Sequence, residues 1–278
     1  MTREFAVVGG GNMARAIVAG AVASGRFAAE AFTIADPNAE KRAPYAEMGV
    51  ATVEHASALR EPLERGATLL VAVKPQMLTA AAADVPIVGR RVLVCSILGG
   101  ATIDIVAGAL TGPLGAPPAV VRVMPNTPAQ VGAGMSALAV GTGVTEEEAE
   151  LIDELFRSVG ETVRLDEPQI DAFSAVIGSG PAYVFLFAEC LERGAHAMGL
   201  PEAAVRGMVT QLLMGSAQLL TASAPEDPAV LRHAVTSKGG STAAALAVFE
   251  EASYADVVVR ALEAARHRSV ELAEEAAS

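Results

Sequence analysis

Cysteine is almost missing. Cys95 and Cys190 are the only two in 278 residues, far apart, in apolar or mixed stretches and without metal-ligand spacing. That excludes a disulfide scaffold and a cysteine metal centre, and no metal site is expected. Both read as buried free thiols of a reducing compartment, the cytoplasm. Basic residues are also short, 20 against 32 acidic ones, for a net charge of −12. Nucleic acid and anionic membrane surfaces are bound by basic patches, so neither is expected as a partner. The four histidines offer no proton shuttle: His55 falls in a loop, His196 and His233 on helices, and His267 beside Arg266 and Arg268. No cationic leader with a cleavage site precedes the first apolar run. The most apolar region, Phe173 to Ala188, is broken by Gly178-Ser179-Gly180-Pro181. It reads as a buried helix, too short and too interrupted for a bilayer.

What is present begins at once. Phe5 to Val8 is a short apolar run, the pattern of a buried parallel strand. Gly9, Gly11 and Ala14 follow in G-x-G-x-x-A spacing and lead into a helix with Ile17, Ala21 and Val22 on one face. The first glycine permits a tight turn, the second lets backbone approach a pyrophosphate, and the small third residue lets helix pack on strand. Free N–H groups and the positive dipole end then face the phosphates. Asn12 and Met13 lie inside this turn.

Further strands are predicted at 31–35, 49–53, 68–73, 91–97 and 120–124, alternating with helical segments. That alternation belongs to a doubly wound parallel sheet. Ligands of such sheets sit beyond the carboxyl ends of the strands, which gathers Gly9 to Met13, Lys74, Ser96 to Gly99 and Asn126 on one rim. Asp36, ending the second strand, stands where ribose hydroxyls are held. It argues for NADH, whereas Lys41 and Arg42 argue for NADPH, and the sequence leaves both open. Two more strands, 135–140 and 161–165, flank a helix whose start is fixed by the capping-box spacing of Thr145 and Glu148.

Beyond residue 164 the period changes. Alanine- and leucine-rich helices are predicted at about 168–178, 181–199, 201–222, 227–235, 241–252 and 254–275, giving an α/β domain over 1–164 and an all-α domain over 165–278. The helix from Pro181 is apolar almost all round (Tyr183, Val184, Phe185, Leu186, Phe187), and such a helix must be covered on every side. A subunit interface is therefore expected there. Thr236-Ser237-Lys238-Gly239-Gly240-Ser241-Thr242 runs straight into one of these helices. One hydroxyl would suffice as an N-cap. Two glycines with four hydroxyl or ammonium side chains describe an anion nest suited to a carboxylate. A dinucleotide rim plus a carboxylate nest fits hydride transfer with a small acid.

At these residues the chain closely resembles the Δ1-pyrroline-5-carboxylate reductases. The matching stretches are Gly9 to Ala14, Ala72-Val73-Lys74-Pro75, Arg122 to Pro128, Gly178 to Tyr183, and above all Val235 to Thr242 continuing to Glu250. The resemblance implies a Rossmann-type doubly wound domain, then an all-α dimerisation domain, and reduction of 1-pyrroline-5-carboxylate to L-proline with NADP or NAD as cofactor. It implies a homodimer or higher homo-oligomer through the C-terminal helices. By position, Gly9, Gly11, Asn12, Met13, Ala14, Asp36, Asn38, Val73, Lys74, Pro75, Ile97, Leu98 and Gly99 would hold the cofactor, with Asn126 near the nicotinamide. Ser237, Gly239, Gly240, Ser241 and Thr242 would hold the substrate, Thr242 hydrogen-bonding the ring nitrogen. Lys238 stands where the family usually has proline, and Leu98-Gly99 where it has small alanines. Three other readings stay open: a β-hydroxyacid dehydrogenase, which needs a catalytic lysine that only Lys238 could supply in the helical half; a nucleotide-binding sensor; and reduction of the six-membered cyclic imine.

Overall fold

The computed structural model describes residues 3–277. Eight strands form one sheet: β1 (Phe5–Val8), β2 (Phe32–Ala35), β3 (Ala51–Val53), β4 (Thr68–Val71), β5 (Leu93–Ser96), β6 (Ala119–Met124), β7 (Gly134–Val140) and β8 (Gly160–Arg164), in the order β3-β2-β1-β4-β5-β6-β7-β8. From β3 to β6 all neighbours are parallel. β7 then runs antiparallel to β6, and β8 parallel to β7. The reversal has a simple cause. Only a short 3-10 turn over Thr127–Val131 joins β6 to β7, and a parallel return needs a crossover of a dozen or more residues.

The strands read as unbroken apolar runs because both faces are buried. In β1, Phe5 and Val7 enter one core while Ala6 and Val8 enter the other. The first core is covered by α1 (Asn12–Ala23), α2 (Ala39–Glu47) and the helix Glu146–Arg157, the second by α3 (Arg60–Arg65), α4 (Leu78–Ala83) and α5 (Ile103–Leu114). Helices on both faces make the sheet doubly wound. Phe5 and Phe32 stack at one end of the first core and Phe27 meets both edge-on, with ring centroids 5.3–6.1 Å apart. α6 (Glu146–Arg157) begins with the expected capping box: the Thr145 hydroxyl accepts from the Glu148 amide, and the Glu148 carboxylate accepts from the Thr145 amide.

The period change seen after residue 164 is followed by helices α7 (Ile170–Phe173), α8 (Gly180–Ala197), α9 (Glu202–Ala222), α10 (Pro228–Ala234), α11 (Ser241–Glu251) and α12 (Tyr254–Ala277). A π-helical turn, Ser174–Gly178, follows α7. By compactness the chain forms two units, one ending at Ser179 and taking up the residues from Ala265 on, the other Gly180–Ala264. The break thus falls later than the change of period.

In the second unit α8 and α9 pair around a small buried core of Ala195, Val205 and Val209. Phe185 and Leu186 of α8 remain 62% and 60% exposed. Cys190, expected to be buried, is exposed on the same helix, while Cys95 is buried in β5. Its exposure follows from that small core, which leaves most of the α8 surface uncovered.

Candidate functional site

The site is built first from the end of β1. Gly9 has φ +101°, and a Cβ there would lie 2.7 Å from the Ala72 carbonyl oxygen. Only glycine allows β1 to turn this close to the end of β4. Gly10 is pinned differently: its N–H donates to Asp36 Oδ2 at 2.8 Å. Gly11 is the N-cap of α1, with φ −70°, and no atom lies within 4 Å of a Cβ placed on it. No side chain caps the helix. The first-turn amides of Asn12, Met13 and Ala14 therefore open onto a cradle that one side chain would fill, the form a pyrophosphate needs. Ala14 is buried against the sheet, as its small size predicts. Beneath the turn lies Tyr45, wholly buried, its hydroxyl 3.5 Å from the Gly11 carbonyl oxygen. Burial pushes its ionisation well above the usual range, so it stays a neutral donor.

Because β1, β2, β4, β5 and β6 are parallel, their carboxyl ends share one rim, and the strand order reverses between β1 and β4 at this very turn. That is the switch point where such sheets bind ligands. The structure brings Gly9 to Ala14, Asp36, Asn38, Val73, Lys74, Pro75, Ile97 to Gly99 and Asn126 to the rim, as the sequence predicts.

Their side chains do not all face outward. Lys74 is exposed at the head of the short 3-10 turn Pro75–Met77. Leu98 is 1% exposed, its side chain in the second core. Asn126, 8% exposed, uses both ends of its amide: Oδ1 accepts from the Met135 amide at 2.9 Å, and Nδ2 donates to the Ile177 carbonyl at 3.2 Å. It fastens the rim to the π-helical turn. Met124 sits beside it, its methyl 3.1 Å from where a Gly178 Cβ would be.

The hydroxyl-rich turn of the second unit is shaped by backbone. Gly239 has φ +72°. The Gly240 amide donates to the Ser237 carbonyl at 3.0 Å, and a Cβ on Gly240 would strike the Ser237 hydroxyl. Gly240 is the N-cap of α11 and carries no side-chain cap, so Ser241 and Thr242 are the first two helical residues and neither caps the helix. Among the described residues the hydroxyls of Ser237, Ser241 and Thr242 have no partner within the chain, and the Lys238 ammonium forms no ion pair. Thr236 alone is occupied, donating to the Arg232 carbonyl at 2.6 Å. Uncapped amides, three uncommitted hydroxyls and an ammonium can receive a carboxylate and a hydrogen-bonding ring atom.

Sequence reasoning missed one polar cluster. Arg122, inside β6 and 2% exposed, meets Glu167 at 3.4 Å and Asp171 at 3.3 Å. Its partners lie so far along the chain that no local pattern could have shown it.

The chain matches known proteins over nearly its whole length. Residues 167–272 match the family described as pyrroline-5-carboxylate reductase dimerisation, and residues 4–100 the family described as NADP oxidoreductase, coenzyme F420-dependent. A pyrroline-5-carboxylate reductase of Haemophilus influenzae is 38% identical over 272 residues, spanning 96% of this chain and 97% of that one. The Escherichia coli enzyme of that name is 32% identical over 274 residues, spanning 98% and 99%. Among solved structures, a pyrroline-5-carboxylate reductase from Coxiella burnetii gives a TM-score of 0.85 at 29% identity over 97% of this chain and 98% of that one. A Plasmodium falciparum pyrroline carboxylate reductase with NADP bound gives 0.83 at 26% identity over 97% and 98%. With the glycine turn, the rim and the hydroxyl-rich turn in place along a full-length match, this chain belongs to the pyrroline-5-carboxylate reductase family.

Proposed function

We infer that this chain is an NAD(P)H-dependent imine reductase that converts 1-pyrroline-5-carboxylate to L-proline, the final step of proline biosynthesis. The observation that carries the reading is the open cradle at Gly11, ahead of an uncapped α1, in a chain that matches reductases of this name end to end. The bound nicotinamide cofactor supplies the hydride, with NADPH the preferred form and NADH also accepted. The α1 amides hold its pyrophosphate, and Asp36, Asn38, Val73 to Pro75, Ile97 to Gly99 and Asn126 shape the rest of its seat. The Gly239 and Ser241 amides receive the substrate carboxylate, with Gly240, whose own amide is bonded to the Ser237 carbonyl, shaping the turn and the Ser237 hydroxyl beside them. The Thr242 hydroxyl hydrogen-bonds the ring nitrogen. A protonated imine is already electrophilic, so the chain needs to orient it rather than supply a strong acid, and orientation alone can lower a barrier by roughly 7–11 kcal/mol in favourable cases.

A steady-state assay tests this, using the five- and six-membered imino acids with NADH and NADPH. Thr242→Ala is expected to lower kcat/KM by about 1–3 kcal/mol, roughly 5- to 150-fold, while Thr242→Ser keeps most of the activity. Near-normal turnover by Thr242→Ala would remove that residue from its role, and no turnover of either imine would end the reading.

The C-terminal helices support a homodimer, since the dimerisation family matches residues 167–272, and a cytoplasmic location goes with the biosynthetic reading. Glu167–Ala197 is a 31-residue helical stretch that holds an 18-residue window of mean hydropathy 1.5, long and apolar enough by composition to cross a membrane. A second copy of the chain, rather than lipid, covers it in this proposal, because the dimerisation family spans the same residues. Sedimentation velocity checks this. A concentration-independent monomer would refute the dimer.

A further inference from the structure

β2 ends on Asp36, where a dinucleotide fold places the acid that accepts from ribose hydroxyls. Here that acid is 5% exposed and both its oxygens are engaged by the chain. Oδ2 accepts from the Gly10 amide at 2.8 Å and Oδ1 from the Asn38 amide at 2.9 Å. One carboxylate thus braces the β1–α1 turn against the β2–α2 turn. A Cβ on Gly10 would meet Asp36 Cβ at 3.3 Å, so the acid lies directly against the turn that it braces. Its charge is answered by the Lys41 ammonium 3.6 Å from Oδ2.

Arg42 completes the tip. Its Nη1 donates to the Asp36 carbonyl at 2.6 Å, which fixes the guanidinium at the end of β2. Among the described residues Arg42 has no carboxylate partner, so the remaining donors of its fork are free for a ligand. Two cations, Lys41 and Arg42, therefore stand at the tip of β2 beside Asp36, in a chain whose net charge is −12. A planar fork held at one corner is the geometry that binds a phosphate through two parallel hydrogen bonds.

We propose that Arg42, assisted by Lys41, is the specificity-determining residue that reads a phosphate monoester on the 2′ position of the cofactor's adenosine ribose, and that Asp36 is a positioning residue for the glycine turn rather than a reader of hydroxyls. The proposal rests on the dinucleotide reading of the rim and not on the identity of the imine.

The test uses the full-length protein and two cofactor fragments, 2′,5′-ADP and ADP, titrated calorimetrically, beside kcat/KM with NADPH and NADH. The wild type is expected to bind 2′,5′-ADP at least about tenfold more tightly than ADP, and that advantage should shrink as salt rises from 0.05 to 0.5 M, as expected for exposed charges. Arg42→Ala should lower the 2′,5′-ADP to ADP affinity ratio and the NADPH to NADH kcat/KM ratio about tenfold each. Arg42→Lys should retain an intermediate preference. Asp36→Asn should weaken both fragments alike, because it loosens a turn they share. An unchanged ratio in Arg42→Ala, or a loss in Asp36→Asn confined to ADP and NADH, would overturn the proposal. Discrimination between the fragments without turnover of any imine would leave it standing while the reaction assignment fell.

Discussion

Gly11→Val is expected to leave the fold untouched and abolish useful cofactor binding. The backbone there has φ −70° and ψ 179°, extended geometry that a β-branched residue adopts without strain. No atom stands within 4 Å of the new Cβ. A substitution that clashes with nothing stays within about 0.5 kcal/mol of the parent stability, and loss of glycine's freedom in the unfolded chain works in its favour. The same isopropyl group fills the space in front of the α1 amides. Binding of NADP+ by calorimetry should therefore weaken at least about 100-fold, or roughly 2.7 kcal/mol, with the thermal midpoint unchanged. Gly9→Val is the contrasting case. Its Cβ would press on the Ala72 carbonyl from a left-handed backbone, so it should unfold the turn rather than block it. If Gly11→Val binds NADP+ normally, the pyrophosphate does not sit on this turn, and every cofactor residue assigned above loses its anchor.

Most of the sheet was legible because parallel strands buried on both faces are written as continuous apolar runs, and the period change near residue 164 announced the helices. The element ends were less legible. The fifth strand, expected over 91–97, spans Leu93–Ser96, since Arg91 turns aside to pair with Glu148 at 2.6 Å. In the glycine turn, the sharp bend at Gly9 and the close packing of Ala14 were readable. The direction in which Asp36 faces was not, because it depends on where tertiary structure puts the Gly10 amide. The hydroxyl-rich turn raised a choice between a cap and a ligand site. The N-cap position of Gly240, a matter of one residue of register, removed Ser241 and Thr242 from capping. Cys190 misled for a related reason: a mixed pattern on a helix does not say whether the chain itself or another surface covers that face.

Arg122→Ala is expected to destabilise the first unit markedly. Inside β6 the side chain is enclosed, and the two acids that meet it are themselves tied elsewhere. Glu167 Oε1 accepts from the Ile103 amide at 2.7 Å, at the start of α5, and Asp171 Oδ1 accepts from the Ser269 hydroxyl at 3.0 Å, on α12. One guanidinium therefore joins the sheet to α5, α7 and the end of α12. Deleting it leaves a void in the strand and two carboxylates without their cation. Breaking a buried pair on one side costs about 3–5 kcal/mol. The acids here are about a quarter exposed, which water screens, so the lower end, about 3 kcal/mol, is the expectation. For a domain of this size that is a fall of roughly 6–12 °C in thermal midpoint, read at fixed protein concentration because assembly adds stability by mass action. Amide exchange over residues 265–277 should quicken at the same time, since the Asp171 end of the fastening is released. Arg122→Met combined with Glu167→Gln and Asp171→Asn removes the charges together, and it should recover most of the loss, because an apolar or neutral replacement of a whole buried ion cluster is often near-neutral. A single Arg122→Ala variant within 1 kcal/mol of the parent would show that solvent, not the arginine, holds those acids, and the proposed fastening of α12 would fail with it.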